Sequence, residues 1–259
     1  MDSVTSKDGT IITYDRIGQG EPVILVSGAS VDRQANLPVA ESLKEHFTIF
    51  NYDRRGRGAS GDTPPYAVER EIEDIAAVIG AAGGSAFLVG FSSGAALALE
   101  AAASRLAIRK LVLWEPPYII EGSRPLPPKD NAKTLMNLVA AGQRGDAVEF
   151  FMVEIVGLPP ESVSEARSQP SWSAQEALAH TLAYDATILG DYSLPVVSAA
   201  HVKTPTLVTA GGADFPWIRE SAQALAELIP GAKTHFLDGQ GHNVDPAVLA
   251  PILVEFFTG

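Results

Sequence analysis

Seven short runs rich in β-branched and aromatic residues punctuate the chain, at Ile11–Tyr14, Val23–Val26, Phe47–Tyr52, Ala86–Val89, Leu111–Trp114, Thr206–Thr209 and Thr234–Leu237. The middle ones are apolar at nearly every position instead of at alternate ones, the pattern of parallel strands covered on both faces. Stretches with helical period lie between them. Val68, Ile72, Ile75 and Ile79 recur at one-turn spacing while Glu69, Glu71, Glu73 and Asp74 fill mainly the opposite face. Trp217, Ala224, Leu225 and Leu228 share a second stripe, and a last helix is expected to start at an Asp245 N-cap with Pro246 in its first turn and to bury Val248, Leu249, Ile252, Leu253 and Phe256. Strands alternating with helices predict an α/β fold with a mostly parallel central sheet and right-handed crossovers. The first run differs, because Asp8-Gly9 between Val4 and Ile11 predicts a hairpin turn at the sheet's edge.

The alternation stops between Glu115 and Lys203. Prolines stand at 116, 117, 125, 127 and 128, and helix-like pieces follow around Leu135–Val139, Val148–Ile155 and Ala177–Leu189. Because the strand pattern resumes at Thr206, residues 115–203 are read as a helical cap inserted into a core made of 1–114 and 204–259. With 259 residues the chain is long enough to bury a single large core without cross-links.

Composition narrows function by exclusion. Asp plus Glu outnumber Lys plus Arg by 31 to 19, a formal charge of −12, the wrong sign for a phosphate-backbone binder, so no nucleic-acid partner is expected. Cysteine is absent, which excludes disulfides, thiolate metal sites and cysteine nucleophiles together. The opening residues lack the basic start and apolar stretch of a secretory signal, and no apolar run approaches the ~18 residues of a membrane span, so a cytoplasmic protein with no membrane partner is expected.

The chemistry concentrates at three places. The apolar strand Ala86–Val89 runs into Gly90-Phe91-Ser92-Ser93-Gly94 and then into Ala95–Glu100, helix formers throughout. Strand, tight turn and helix in that order hold the central serine in a strained conformation with its hydroxyl free above the sheet, and flanking glycines are needed where a larger side chain would strike backbone. Ser92 is thereby a candidate nucleophile. A serine needs a base to become reactive. Of five histidines, His46, His180, His201 and His235 fall in or beside regular elements, whereas His242 lies in Asp238-Gly239-Gln240-Gly241-His242-Asn243, a glycine-rich loop between the last strand and the last helix. The imidazole in turn needs a carboxylate to fix its tautomer. Asp214, in Ala210-Gly211-Gly212-Ala213-Asp214 after one strand, is preferred over Glu115, which ends another strand at the same edge. Two backbone donors are expected for a developing oxyanion, the amide of Ser93 and that of Ala29 in the turn Ser27-Gly28-Ala29-Ser30.

With these residues in place the chain resembles the α/β-hydrolase fold superfamily, over essentially its whole length, in its serine-nucleophile, esterase- and lactonase-like branch. The order Ser92, Asp214, His242 is similar to the family's order of nucleophile, acid and histidine, and the insertion sits where members carry their cap. Tyr52-Asp53-Arg54-Arg55-Gly56-Arg57-Gly58-Ala59-Ser60 is similar to a structural strand-end loop of the family. Ser27 departs from the pattern, standing where many relatives have histidine before the oxyanion glycine, which alters a pocket wall and leaves the backbone donor intact. Some relatives take their acid from the strand position of Glu115, so that alternative stays open. Since related epoxide hydrolases and dehalogenases use aspartate at the elbow, Ser92 implies acyl transfer. The resemblance implies hydrolysis of a small, uncharged, hydrophobic carboxylic ester or lactone through an acyl-Ser92 intermediate, with no metal and no organic cofactor. The aromatic residues Phe91, Phe150, Phe151, Trp172, Tyr184, Phe215 and Trp217 are candidates for the pocket. The alternatives are a noncatalytic ligand-binding protein on the same fold, and a perhydrolase or carbon–carbon hydrolase using the same serine.

Overall fold

The computed structural model describes residues 1–259. Eight strands, β1 (Asp2–Thr5), β2 (Ile11–Gly18), β3 (Glu21–Val26), β4 (Phe47–Tyr52), β5 (Ala86–Phe91), β6 (Ile108–Trp114), β7 (Thr206–Ala210) and β8 (Lys233–Phe236), form one sheet in the order β1-β2-β4-β3-β5-β6-β7-β8. From β4 to β8 every neighbouring pair is parallel. The expected edge hairpin is present: β1 pairs antiparallel with β2 around Gly9, whose φ of 89° a side chain would disfavour.

The uniformly apolar strands are explained by two cores, one on each face. Side chains alternate across the pleat, so Ile24 and Val26 of β3, Leu88 of β5 and Leu111 and Leu113 of β6 enter one core, while Val23 and Leu25, Phe87 and Val89, and Val112 and Trp114 enter the other. The smaller core is closed by α1 (Leu37–Leu43) together with the C-terminal helix. The larger is covered by α2 (Val68–Ala81) and α3 (Ser93–Ala103), and it continues into the segment between β6 and β7.

That segment contains helices and no strand: α4 (Asn131–Ala140), α5 (Arg144–Phe150), a π-helical stretch Phe151–Val156, α6 (Pro160–Arg167), α7 (Trp172–Leu178), α8 (Leu182–Leu189) and α9 (Val196–His201). After β7 come α10 (Trp217–Leu228) and, following β8, α11 (Pro246–Thr258). Asp245 caps α11 as expected, its Oδ1 accepting from the Ala247 N–H at 2.9 Å, but Val248 is 38% exposed, and the buried seam runs through Leu249, Leu253 and Phe257. The acidic face of α2 also departs from expectation. Glu71 and Asp74 are each 1% exposed because buried arginines of the loop after β4 meet them. No helix is long and apolar enough to cross a membrane.

Candidate active site

Ser92 joins β5 to α3 with φ 55° and ψ −122°, a backbone conformation that L-residues rarely adopt. Steric crowding accounts for the two glycines around it. A Cβ on Gly90 would lie 2.4 Å from the Gly94 carbonyl oxygen, and one on Gly94 would lie 2.4 Å from both the Val26 and the Ser27 carbonyl oxygens. The turn is therefore as tight as backbone contact allows, and it presses the start of α3 against the end of β3. On that side Gly28 packs against Ser92, where a Cβ would come within 3.1 Å of the serine's own Cβ. Ala29 and Ser93 line the same cavity as Ser92, and Ser93 begins α3, where amides have no partner inside the helix.

His242 lies on the loop between β8 and α11 and is held at three points. Its carbonyl accepts from Trp114 Nε1 at 3.0 Å, its backbone N–H donates to Asp214 Oδ2 at 2.7 Å, and its ring Nδ1 lies 2.6 Å from Glu115 Oε2. The preference between the two carboxylates is thus reversed: the one that meets the ring belongs to Glu115, and Asp214 instead anchors the backbone of the histidine loop. The reason is reach. Glu115 extends β6, its N–H bonded to the Thr209 carbonyl at 2.9 Å, and has φ 45°; its buried carboxylate turns inward, where Oε1 accepts the Gly211 and Gly212 amides, each at 2.9 Å. Asp214, further along the loop after β7, packs under Gly241, whose Cβ would fall 2.4 Å from its Oδ2. Since a carboxylate that already accepts two amides can only accept again, the ring donates to Glu115 through Nδ1, which leaves Nε2 as the nitrogen free to meet another partner.

Ser92 and His242 line one cavity of about 910 Å3, with no hydrogen bond between them in this structure. Its walls are mainly apolar. Phe91, Phe151, Phe215 and Trp217 of the expected aromatic residues contribute; Phe150 does not, Trp172 is buried in the core, and Tyr184 stacks on Tyr66 with ring centroids 3.9 Å apart. The inserted segment supplies much of the wall, including Phe151, Met152 and Ile155 of the π-helical stretch and Leu189 of α8. The remaining histidines lie outside this wall; His180, for instance, is paired through Nδ1 with Arg144 at 3.1 Å, and burial lowers its pKa. No group of three or more His, Asp or Glu side chains is placed to hold a metal ion.

A family model described as the alpha/beta hydrolase family matches residues 23–252. The chain belongs to that family. Among relatives of this alpha/beta hydrolase, a structure of an alpha/beta hydrolase from Sphaerobacter thermophilus is 54% identical and superposes with a TM-score of 0.93, covering 99% of this chain and 100% of its own. A pimeloyl-(acyl-carrier protein) methyl ester esterase from Xanthomonas campestris is 28% identical over 234 residues, 88% of this chain and 90% of the relative. The fold is also that of an enol-lactonase from Burkholderia xenovorans, with TM-score 0.72 at 20% identity over the full length of both chains.

Three residues that the sequence did not single out belong to the site's surroundings. Asp185 of α8 is fully buried; its Oδ1 accepts from the Ser93 hydroxyl at 2.7 Å and from Arg54 Nη1 at 2.8 Å, and both of its carboxylate oxygens accept from Arg57 Nη2 at 2.8 Å. Arg54 also donates to the Ser27 carbonyl at 3.2 Å, and Arg57 to the Gly28 carbonyl. An ion cluster thereby ties the inserted helices to both sides of the expected oxyanion site. Burial alone would raise the Asp185 pKa; Arg57 and Arg54, with the Ser93 hydroxyl, hold it below the ordinary carboxylate range. Arg124 and Tyr192, both from the inserted segment, line the cavity itself. The only sequence signal for Asp185 was a lone charge in the otherwise uncharged Leu182–Leu189; for Arg124 it was a lone base in a proline-rich stretch.

Proposed function

We propose that the protein is a serine hydrolase of carboxylic esters or lactones with a hydrophobic body, working through an acyl-Ser92 intermediate. The observation that supports this most is the chain of contacts from a buried, doubly amide-bonded Glu115 to the His242 ring on the wall of the cavity that Ser92 also lines. In this reading His242 Nε2 removes the Ser92 proton as Oγ attacks the substrate's carbonyl carbon. The resulting oxyanion takes the N–H groups of Ser93 and Ala29, donors worth about 3–4 kcal/mol each where one has been removed from another hydrolase. The imidazolium, stabilised by Glu115, gives its proton to the departing alkoxide, and the acyl group remains on Ser92. Water then attacks the acyl carbon, His242 takes its proton, and the return of that proton to Ser92 Oγ releases the acid. The hydrogen bond between Ser92 and the ring is one the reaction must form; such contacts are often long or poorly aligned before substrate binds.

The inserted helices act in this reading as the cap that closes the cavity, with 1–114 and 204–259 as the core. A fluorophosphonate probe tests the nucleophile: intact mass is expected to show one adduct, absent in Ser92→Ala. Wild-type protein that takes no adduct and hydrolyses no short acyl ester would instead be a ligand-binding member of the fold.

A further inference from the structure

In a chain with a formal charge of −12, one guanidinium faces the apolar cavity. Arg124 is the single lysine or arginine on its wall. The buried arginines elsewhere, Arg54, Arg55 and Arg57, each meet a carboxylate. Arg124 meets none. Its Nη1 donates to the Val156 carbonyl at 2.8 Å and its Nη2 to the Ile155 carbonyl at 2.9 Å, at the end of the π-helical stretch, and its guanidinium lies 5.1 Å from the Trp217 ring centre. These contacts fix the fork while using two of the five N–H groups a guanidinium offers. Burial lowers the Arg124 pKa, so an anion beside it would offset that cost of desolvation.

A second group points the same way. Tyr192 is 2% exposed, lines the same cavity, and its hydroxyl has no hydrogen-bond partner although buried. Its backbone sits at φ 65°, held there although bulky residues avoid that region. Arg124 and Tyr192 line the same cavity. None of their hydrogen bonds goes to Ser92, His242, Gly28 or Ala29. A smaller cavity of about 480 Å3 shares Arg124, Val156, Phe215 and Trp217 with the large one, so Arg124 stands at their junction.

We infer that Arg124 and Tyr192 form an acid-recognition subsite, and that the substrate is an ester or lactone whose hydrophobic chain ends, away from the scissile bond, in a carboxylate. The planar anion suits the N–H groups that Arg124 leaves unused, the Tyr192 hydroxyl would supply a further donor, and the apolar walls make the charge pair stronger than it would be in water. This rests on the ester-hydrolase reading, and it replaces the uncharged substrate that overall charge suggested with one carrying a single remote charge.

The test compares p-nitrophenyl monoesters of linear dicarboxylic acids with p-nitrophenyl esters of monocarboxylic acids of equal chain length. At one chain length the acid-ended ester is expected to be preferred by about tenfold or more in kcat/KM, mainly through KM, a factor equivalent to ~1.4 kcal/mol. In Arg124→Gln that ratio is expected to fall to near one, with Arg124→Lys between and Tyr192→Phe reduced. No preference at any length in wild type, or an unchanged ratio in Arg124→Gln, would overturn the subsite. Should Ser92 prove inert, Ser92→Ala protein titrated with a dicarboxylic half-amide and the matching simple amide, followed by the fluorescence of Trp217, separates the two claims. Tighter binding of the acid-ended amide keeps the subsite and leaves only the catalytic reading in error; equal binding removes the subsite.

Discussion

Ser92 and Glu115 both occupy positive φ, a conformation that costs non-glycine residues of order 1–3 kcal/mol and persists where surroundings over-determine it. In each case the strain aims a side chain: the serine over the sheet's edge, the glutamate inward to two amides and an imidazole. The two carboxylates near His242 therefore predict different losses. Glu115→Gln is expected to lower kcat on the order of a thousandfold or more, because an amide in that position favours the wrong histidine tautomer. Asp214→Asn keeps an acceptor for the His242 backbone N–H and is expected to lose about tenfold or less, consistent with a neutral replacement for one charge-assisted hydrogen bond. Initial rates of the two variants on one short ester decide it, and the opposite ranking would return the acid's role to Asp214. The tight turn at Ser92 and the loop that carries His242 were legible because a strand-turn-helix pattern and a glycine-rich loop are local. The competition between Glu115 and Asp214 was not, since both follow strands at one edge and only side-chain reach separates them.

Among the elements, the helix α8 does more than line the cavity. Asp185 receives Arg54, Arg57 and the Ser93 hydroxyl at once, joining the insertion to the loop after β4, the turn after β3 and the start of α3. Removing one partner of a buried ion cluster leaves uncompensated charge, so Asp185→Asn is expected to lower stability by roughly 3–5 kcal/mol at neutral pH. The sign of the pH dependence follows from a folded-state pKa below the unfolded one. Asp185 contributes stability above the unfolded carboxylate value, ~3.9, and loses it as pH falls through the lower folded value. Urea midpoints of wild type and Asp185→Asn are thus expected to differ by a constant amount above about pH 5 and to converge in stronger acid. A gap that stays constant to pH 2 would remove Asp185 as the titrating group. The same cluster explains the misread face of α2: helical periodicity separates apolar from charged positions, but it does not say whether a charged stripe faces water or buried guanidinium groups, as Glu71 faces Arg54.

On the scale of the whole molecule, the cavity lies between the sheet edge and the inserted helices, and its size belongs to both. Leu189, on the insertion's side of the wall, offers a direct handle. Leu189→Trp is expected to lower kcat/KM for long acyl esters by about tenfold relative to acetate, the scale on which apolar pockets discriminate by one or two methylenes. A chain-length profile unchanged from wild type would place the acyl group elsewhere. Net charge, by contrast, described the surface and missed the interior: −12 favours uncharged substrates at long range, whereas a single Arg124 without a carboxylate partner sets the character of one cavity wall.

The linear order of residues determined what is decided over a few neighbours: apolar runs that must be covered on both faces, hence a doubly covered parallel sheet; the glycines that let β5 turn into α3 at Ser92; the Asp245 cap of α11. It also marked a strandless helical segment between β6 and β7. Tertiary structure alone decided which carboxylate meets His242, which arginines are buried against acids and which faces an apolar cavity unaccompanied. Those outcomes depend on contacts between positions such as 54 and 185, or 115 and 242, and on burial, which makes a paired charge tolerable and an unpaired one costly. Neither distance nor dielectric is written in sequence spacing.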